Sequence, residues 1–264
     1  MDEIERIREL DSEVFEELKE YFPKTFTSNF KKEFSTTMHL VTIFDTGATF
    51  IKNSIFDCCE TDDYYGAKIL YRSLIEHFIR FKFIFINWGK TKSDEFAKNY
   101  FECSVAREVI DLVKAMVAEQ QLYDSNFKMK EWDEFLKNYP AFKKKTFKEI
   151  EDETRKYTFK NIIKFLNDEF NKGENEMSSF LGKLIIDYSR LSSFVHGGMK
   201  SYQEMALADS DEIRQKEYNR ICGLTFQISN SIKLFTLLMY AQTDREAFTK
   251  HYLKLDEIMK RINN

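Results

Sequence analysis

At 264 residues with 43% hydrophobic side chains, the chain can bury a sizeable core, as one large domain or two small ones. Eight glycines and two prolines are too few for the turns of an all-β protein, and a net charge of −4 gives no overall basic signal for nucleic acid. Four cysteines without a CxxC pair read as reduced thiols. With no signal sequence and no apolar run near the roughly 18 residues of a membrane span, a cytoplasmic location away from the bilayer is expected.

The pattern is helical from end to end. Ile4, Ile7, Leu10, Val14, Phe15 and Leu18 recur at three- and four-residue spacing, which predicts a first helix ended by Pro23. A second helix is expected from Ser35 to Cys59, and "TDD" (Thr61 to Asp63) supplies a cap for a third, Tyr64 to Trp88, stopped by Gly89. "TKSDEF" (Thr91 to Phe96) opens a fourth, reaching about Leu122. Residues 123–176 are more charged and carry shorter helical segments and the run "KNYPAFKKKTFK" (Lys137 to Lys148). "NKGENE" (Asn171 to Glu176) reads as a loop. A helix from Met177 to His196 follows, then a long one capped by "DSDE" (Asp209 to Glu212), and a last one opened by "TDRE" (Thr243 to Glu246). The expectation is an all-α protein: one helical domain over 1–264, with its core in about 35–122 and 177–242 and a polar helical insertion between them.

Chemistry is sparse. Four histidines, at 39, 77, 196 and 251, are too dispersed for a zinc pattern, and phosphate-loop, dinucleotide and nucleophile-elbow motifs are missing. No metal and no cofactor is expected. The third helix is apolar nearly all round, yet Lys68, Arg72, Glu76 and Arg80 recur every four residues. That row is either a self-contained ion-pair ladder or one wall of a site, since buried charges need partners or a cavity.

A second candidate is "DYSRLSSFVHGG" (Asp187 to Gly198). Leu184, Tyr188, Leu191 and Val195 form its apolar stripe, with His196 on the last turn before two glycines. There the histidine either meets the helix dipole or serves as a general acid/base or a phosphate contact. On one ideal helix Arg190 and His196 point about 120° apart and do not converge. If the two candidates form one site, Arg72 or Glu76 should reach Tyr188, Ser192 or His196.

Arg190-Leu-Ser-Ser-Phe-Val-His196 fits an arginine, four to six residues, then histidine. In an all-helical chain this resembles the HEPN superfamily. "YRSLIEHF" upstream strengthens the likeness: an R-S-L-x-E helix followed by an L-S-x-x-V-H element is similar to an uncharacterised bacterial helical family. Arg72–His77 and Arg245–His251 fit the same spacing, but the latter lies on a charged terminal helix and reads as solvated surface. The resemblance implies a metal-independent endoribonuclease, commonly a homodimer, of bacterial toxin or antiphage systems, with an antitoxin or defence protein as partner. Arg190 and His196 would be catalytic, supported by Arg72, Glu76, Tyr188 and Ser192. Lys143, Lys144 and Lys145 would hold RNA, or else form a solvated face. The alternative is a non-catalytic interaction or sensor module of such a complex.

Overall fold

A computed structural model describes residues 3–22, 32–128, 136–137, 139–170, 176–241 and 245–263. Among them are ten α-helices, two short 3-10 turns and no strand, so the protein is all-α. In chain order the helices are α1 (Glu3–Leu18), α2 (Ser35–Glu60), α3 (Tyr64–Thr91), α4 (Glu95–Gln121), α5 (Phe147–Arg155), α6 (Phe159–Phe170), α7 (Glu176–Val195), α8 (Met199–Leu207), α9 (Asp211–Tyr240) and α10 (Arg245–Lys260).

Helix α3 is the central element, packed against α2, α7, α9 and α6. Its apolar surface all round explains this position: Tyr71, Leu74, Ile75, Phe78, Ile79 and Phe81 are fully buried. Asp63 caps it by accepting from the Gly66 N–H at 2.8 Å. The helix runs through Gly89, where the sequence pattern predicts a stop, and ends at Lys92 in the left-handed conformation. A single glycine costs a helix only about 1 kcal/mol relative to alanine, too little to end one held by its neighbours.

The main core also takes in α1, through Ile4, Ile7, Leu10 and Val14, and α10, through Leu255 and Ile258. From the polar middle of the chain, α6 contributes Ile162 and Leu166 to this core. Phe142 and Ile150 form a satellite cluster with Cys103, Ala106 and Ile110 of α4. None of the four cysteines forms a disulfide.

Three local features differ from the sequence pattern. Asp94 reads as part of the start of α4, but its carboxylate accepts from the backbone N–H groups of Thr36 (3.1 Å) and Thr37 (2.7 Å) and from the Thr37 hydroxyl. It therefore caps α2 from a distant point in the chain, satisfying orphan donors that Phe34 cannot. Helix α8 occupies a stretch with no predicted element. Gly197, at φ 61°, ends α7, and Gly198 in extended conformation starts α8 one residue later. Finally, α9 is long and apolar enough to cross a membrane by length and composition, where no such stretch was expected. In its most apolar window 56% of the residues are buried, and the helix packs on α1, α2, α3 and α10, so its apolarity serves the core. Ser210 caps α9, accepting from Ile213. Of the expected loop 171–176 and the capping box at 243–246, residues 171–175, 243 and 244 lie outside the described residues.

Candidate functional site

The polar row of α3 splits into two groups. Lys68 leaves the row and turns toward α8 and α9. Its ammonium, on a fully buried residue, donates to Glu204 at 2.7 Å and to Glu217. Glu204 also accepts from the Tyr64 hydroxyl and from Arg190, and Glu217 accepts from both Nε and Nη2 of Arg220. Arg220 continues to Asp187 at 2.7 Å, and Asp187 accepts from the buried Tyr71 hydroxyl. Lys68, Arg190 and Arg220 thus face Asp187, Glu204 and Glu217 in one network that ties α3, α7, α8 and α9 together. Burial alone would raise the Glu217 carboxyl, but the hydrogen bond from Arg220 and the charge of Lys68 outweigh it and hold it at about 2. Burial would likewise lower Lys68, and Glu217 and Glu204 outweigh it, so the ammonium is held above its ordinary range.

The rest of the row stays together. Glu76 accepts from Arg80 at 2.7 Å and lies 4.0 Å from Arg72, while Arg80 reaches the Tyr100 hydroxyl. The ladder is not self-contained, however. Arg72 donates to the Tyr188 hydroxyl at 2.8 Å and to Ser192 at 3.4 Å, with its guanidinium 4.2 Å from the Tyr188 ring centroid. That ring also packs near Phe159 of α6, 4.1 Å between centroids. The R-S-L-x-E helix and the L-S-x-x-V-H element therefore meet side chain to side chain. Burial pushes the Tyr188 phenol up, and the Glu76 charge adds to it. Glu76, Arg80 and Phe159 also line a cleft of about 680 Å³ between α3, α4 and the α5–α6 region.

Arg190 and His196 stand at the solvent edge of this network. Arg190 is 53% exposed at its side chain and pairs with Glu204. His196 is exposed, its backbone N–H bonds to Ser192, and among the described residues its ring has no hydrogen-bond or ion-pair partner. The two side chains are not brought together within the chain. The apolar stripe of α7 runs through Leu184, Leu191 and Phe194, not Val195, which is exposed. Phe194 takes the place expected of Val195 because its ring packs on Tyr65, whose hydroxyl bonds to the Phe194 carbonyl.

The two other motif matches are structural. His77 donates from Nδ1 to the Ser73 carbonyl and packs so closely on Gly47 that a Cβ there would meet its ring at 2.9 Å. His251, expected as solvated surface, is mostly buried against Tyr21 and bonds to Glu17 at 2.7 Å, because α1 covers that face of α10. Lys143 and Lys144 are exposed, and Lys145 is paired with Glu153 at 2.7 Å. Among the described residues no hydrogen bond or ion pair links the three to α7.

Sequence reasoning missed Asp187, Glu204, Glu217, Arg220 and Tyr71. The one available signal was Lys68 itself: a lysine on an all-apolar helix needs buried acids. Nothing in the spacing says which of many acids those are.

Among the described residues no group of three or more histidine, cysteine or acidic side chains is arranged to hold a metal ion. No curated protein and no solved structure matches the chain significantly. A family profile does match, over residues 47–213, from the middle of α2 to the start of α9, which includes the whole Lys68–Glu204 and Arg72–Tyr188 arrangement. As that match spans well over half of the sequence, the chain belongs to the DUF5677 family, a family of unknown function.

Proposed function

We propose that the protein is a metal-independent endoribonuclease of HEPN type, acting as a homodimer in the cytoplasm as part of a bacterial toxin or antiphage system. The observation that carries this reading is His196: an exposed imidazole without a side-chain partner among the described residues, at the end of a helix whose neighbouring Val195, Met199 (74% exposed) and Tyr202 are also exposed. A histidine rimmed by exposed apolar side chains suits a surface that a second copy covers. Two copies meeting there would supply the convergence that one helix does not.

Arg190 suits the role of phosphate contact. Its pair with Glu204 is half exposed, and such pairs contribute only about 0–1 kcal/mol. Glu204 keeps Lys68 and Tyr64 when Arg190 turns away, so no buried carboxylate is stranded. In the reaction a ribose 2′-OH attacks the adjacent phosphorus and the bond to the 5′ oxygen breaks. One His196 accepts the 2′ proton, the other copy's His196 protonates the leaving oxygen, and Arg190 stabilises the phosphorane charge. Arg72, Glu76, Tyr188 and Ser192 fix the helix that presents them. Lys143 and Lys144 are free to contact RNA phosphates.

One observation favours a second reading. The three cations and three acids of the Lys68 network balance, and a site without surplus positive charge suits a non-catalytic interaction module bound to an antitoxin or defence protein. Purified protein incubated with total RNA in chelator separates the two. Cleavage that His196→Ala and Arg190→Ala abolish supports the nuclease. A dimer that binds without cleaving, in wild type and variants alike, supports the module.

A further inference from the structure

Arg190, the proposed phosphate contact, is already occupied. Its Nε donates to Glu204 Oε2 at 3.3 Å and its Nη2 to Oε1 at 3.1 Å, and among the described residues Glu204 is the one side chain it bonds. A guanidinium grips a phosphate best through two parallel N–H bonds, and Nε with Nη2 is one of its paired edges. Here a planar, anionic carboxylate fills that edge and cancels the charge that a phosphorane would draw on. Glu204 is held independently of Arg190, because Oε1 also accepts from the buried Lys68 at 2.7 Å and from Tyr64 at 3.3 Å. The carboxylate is thus a fixed stop, and Arg190, 53% exposed, is the member free to leave.

The helix that delivers Glu204 is built unlike the rest of the bundle. Of the nine residues of α8, Ser201 alone is buried and Glu204 alone half-buried. Met199, Tyr202, Met205 and Leu207 face solvent, the last 75% exposed. Apolar burial therefore contributes little to holding α8 in place, and the pairing of Glu204 with Lys68 holds it instead. The helix joins α7 through Gly197 and Gly198, so the element that occupies Arg190 follows His196 directly. We propose, on the ribonuclease reading above, that Glu204 is an autoinhibitory stop: in the chain as folded, its carboxylate excludes a nucleic-acid phosphate from Arg190. Carboxylate and phosphate compete for one guanidinium edge, and cleavage proceeds when the phosphate wins.

Binding of a fluorescent single-stranded DNA, which has no 2′-OH to attack, reads the phosphate contact apart from cleavage. Glu204→Gln keeps an oxygen for Lys68, which also retains Glu217, and removes the charge that competes for Arg190. It should bind the DNA about two- to fivefold more tightly than wild type, the factor to which the roughly 0.5–1 kcal/mol of a half-exposed pair converts. Adding Arg190→Ala should erase that gain, whereas a gain from the loss of a negative charge alone would survive it. Glu204→Asp, one methylene shorter and still charged, should show the same Arg190-dependent gain, and it carries the test if circular dichroism shows the glutamine variant unfolded. The inference is overturned if the folded variants bind DNA no better than wild type, or if the gain persists beside Arg190→Ala. RNA cleavage separates the stop from the nuclease. An Arg190-dependent gain in DNA binding with no cleavage by any variant keeps the stop and removes the nuclease. Arg190-dependent cleavage that Glu204→Gln leaves no faster keeps the nuclease and removes the stop.

Discussion

Lys68 and Lys82 lie on the same helix about four turns apart, and both are buried, at 0% and 3% exposure. Around Lys68 the chain gathers two carboxylates and a tyrosine hydroxyl, drawn from α3, α8 and α9. Around Lys82 it gathers rings: Phe235 at 3.6 Å from the ammonium to the ring centroid, with Phe85 and Phe170 beyond. Burial pushes Lys82 down to about 8, whereas acids overcome the same burial at Lys68 and push it up. Depth alone therefore says little about what a buried lysine does. Lys68 fastens four helices at the end that carries Arg190, and Lys82 is a charge accommodated by aromatic faces.

The largest effect expected from breaking this contrast is at Lys68. Lys68→Met leaves Glu204 and Glu217 without their shared cation, and removing one member of a buried ion pair typically costs about 3–5 kcal/mol. Urea unfolding should show that loss, and Glu204→Gln added to Lys68→Met should recover part of it.

Acid titration sharpens the same end of the molecule. Glu217 is held at about 2, below its ordinary 4.5, so its contribution is fully present above pH 4.5 and lost as pH falls toward 2. The shift corresponds to about 3 kcal/mol. Glu217→Gln should flatten the acid limb of a stability–pH curve while lowering the neutral plateau. An acid limb of unchanged steepness would sink this assignment.

Lys82→Met should act in the opposite direction. The lysine's folded value, about 8, lies below its ordinary 10.5. The unfolded chain therefore binds more protons between those values, and wild-type stability rises with pH across that window. Methionine removes the cost of holding the ammonium among rings, so the variant should gain about 1–3 kcal/mol at neutral pH. The gain should vanish above pH 10.5. A destabilised variant would show that the cation–π contacts outweigh the desolvation.

The contrast also shows what the sequence makes legible. Helix periodicity and the four-residue recurrence from Lys68 to Arg80 place the polar row, and its contact with Tyr188 and Ser192 follows from two groups that each interrupt an apolar surface. The cap that Asp94 supplies to α2 is not readable, because the two lie 57 and 58 residues apart and local capping rules look only three residues ahead. Glu204 is missed for a similar reason: α8 is nine residues long, with no strong periodicity, and follows a pair of glycines that read as a simple stop. Asp187 stood in the motif from the start, but its role depends on Arg220, 33 residues away. Local pattern thus gives the helices and their faces, and long-range charge pairing stays hidden until the helices are placed.

The smallest expected effect on stability is the most informative about function. His196 and His251 both complete the arginine-to-histidine spacing, and only one is structural. His251→Ala loses the bond to Glu17 and the packing on Tyr21, and should cost about 1–2 kcal/mol by thermal melting, with no change in any RNA cleavage. His196→Ala touches an exposed ring with no side-chain partner among the described residues, so its melting temperature should match wild type to within about 0.5 kcal/mol of stability. If His196 moves the proton in RNA cleavage, the same variant should lower the rate by a factor of about 10²–10⁴. Because no described residue bonds to the ring, a loss of activity there has no hydrogen bond or ion pair of the described fold to explain it. Equal cleavage by wild type and His196→Ala would remove the catalytic assignment, and the exposed apolar surface around Val195, Met199 and Tyr202 would then be read as a docking face alone.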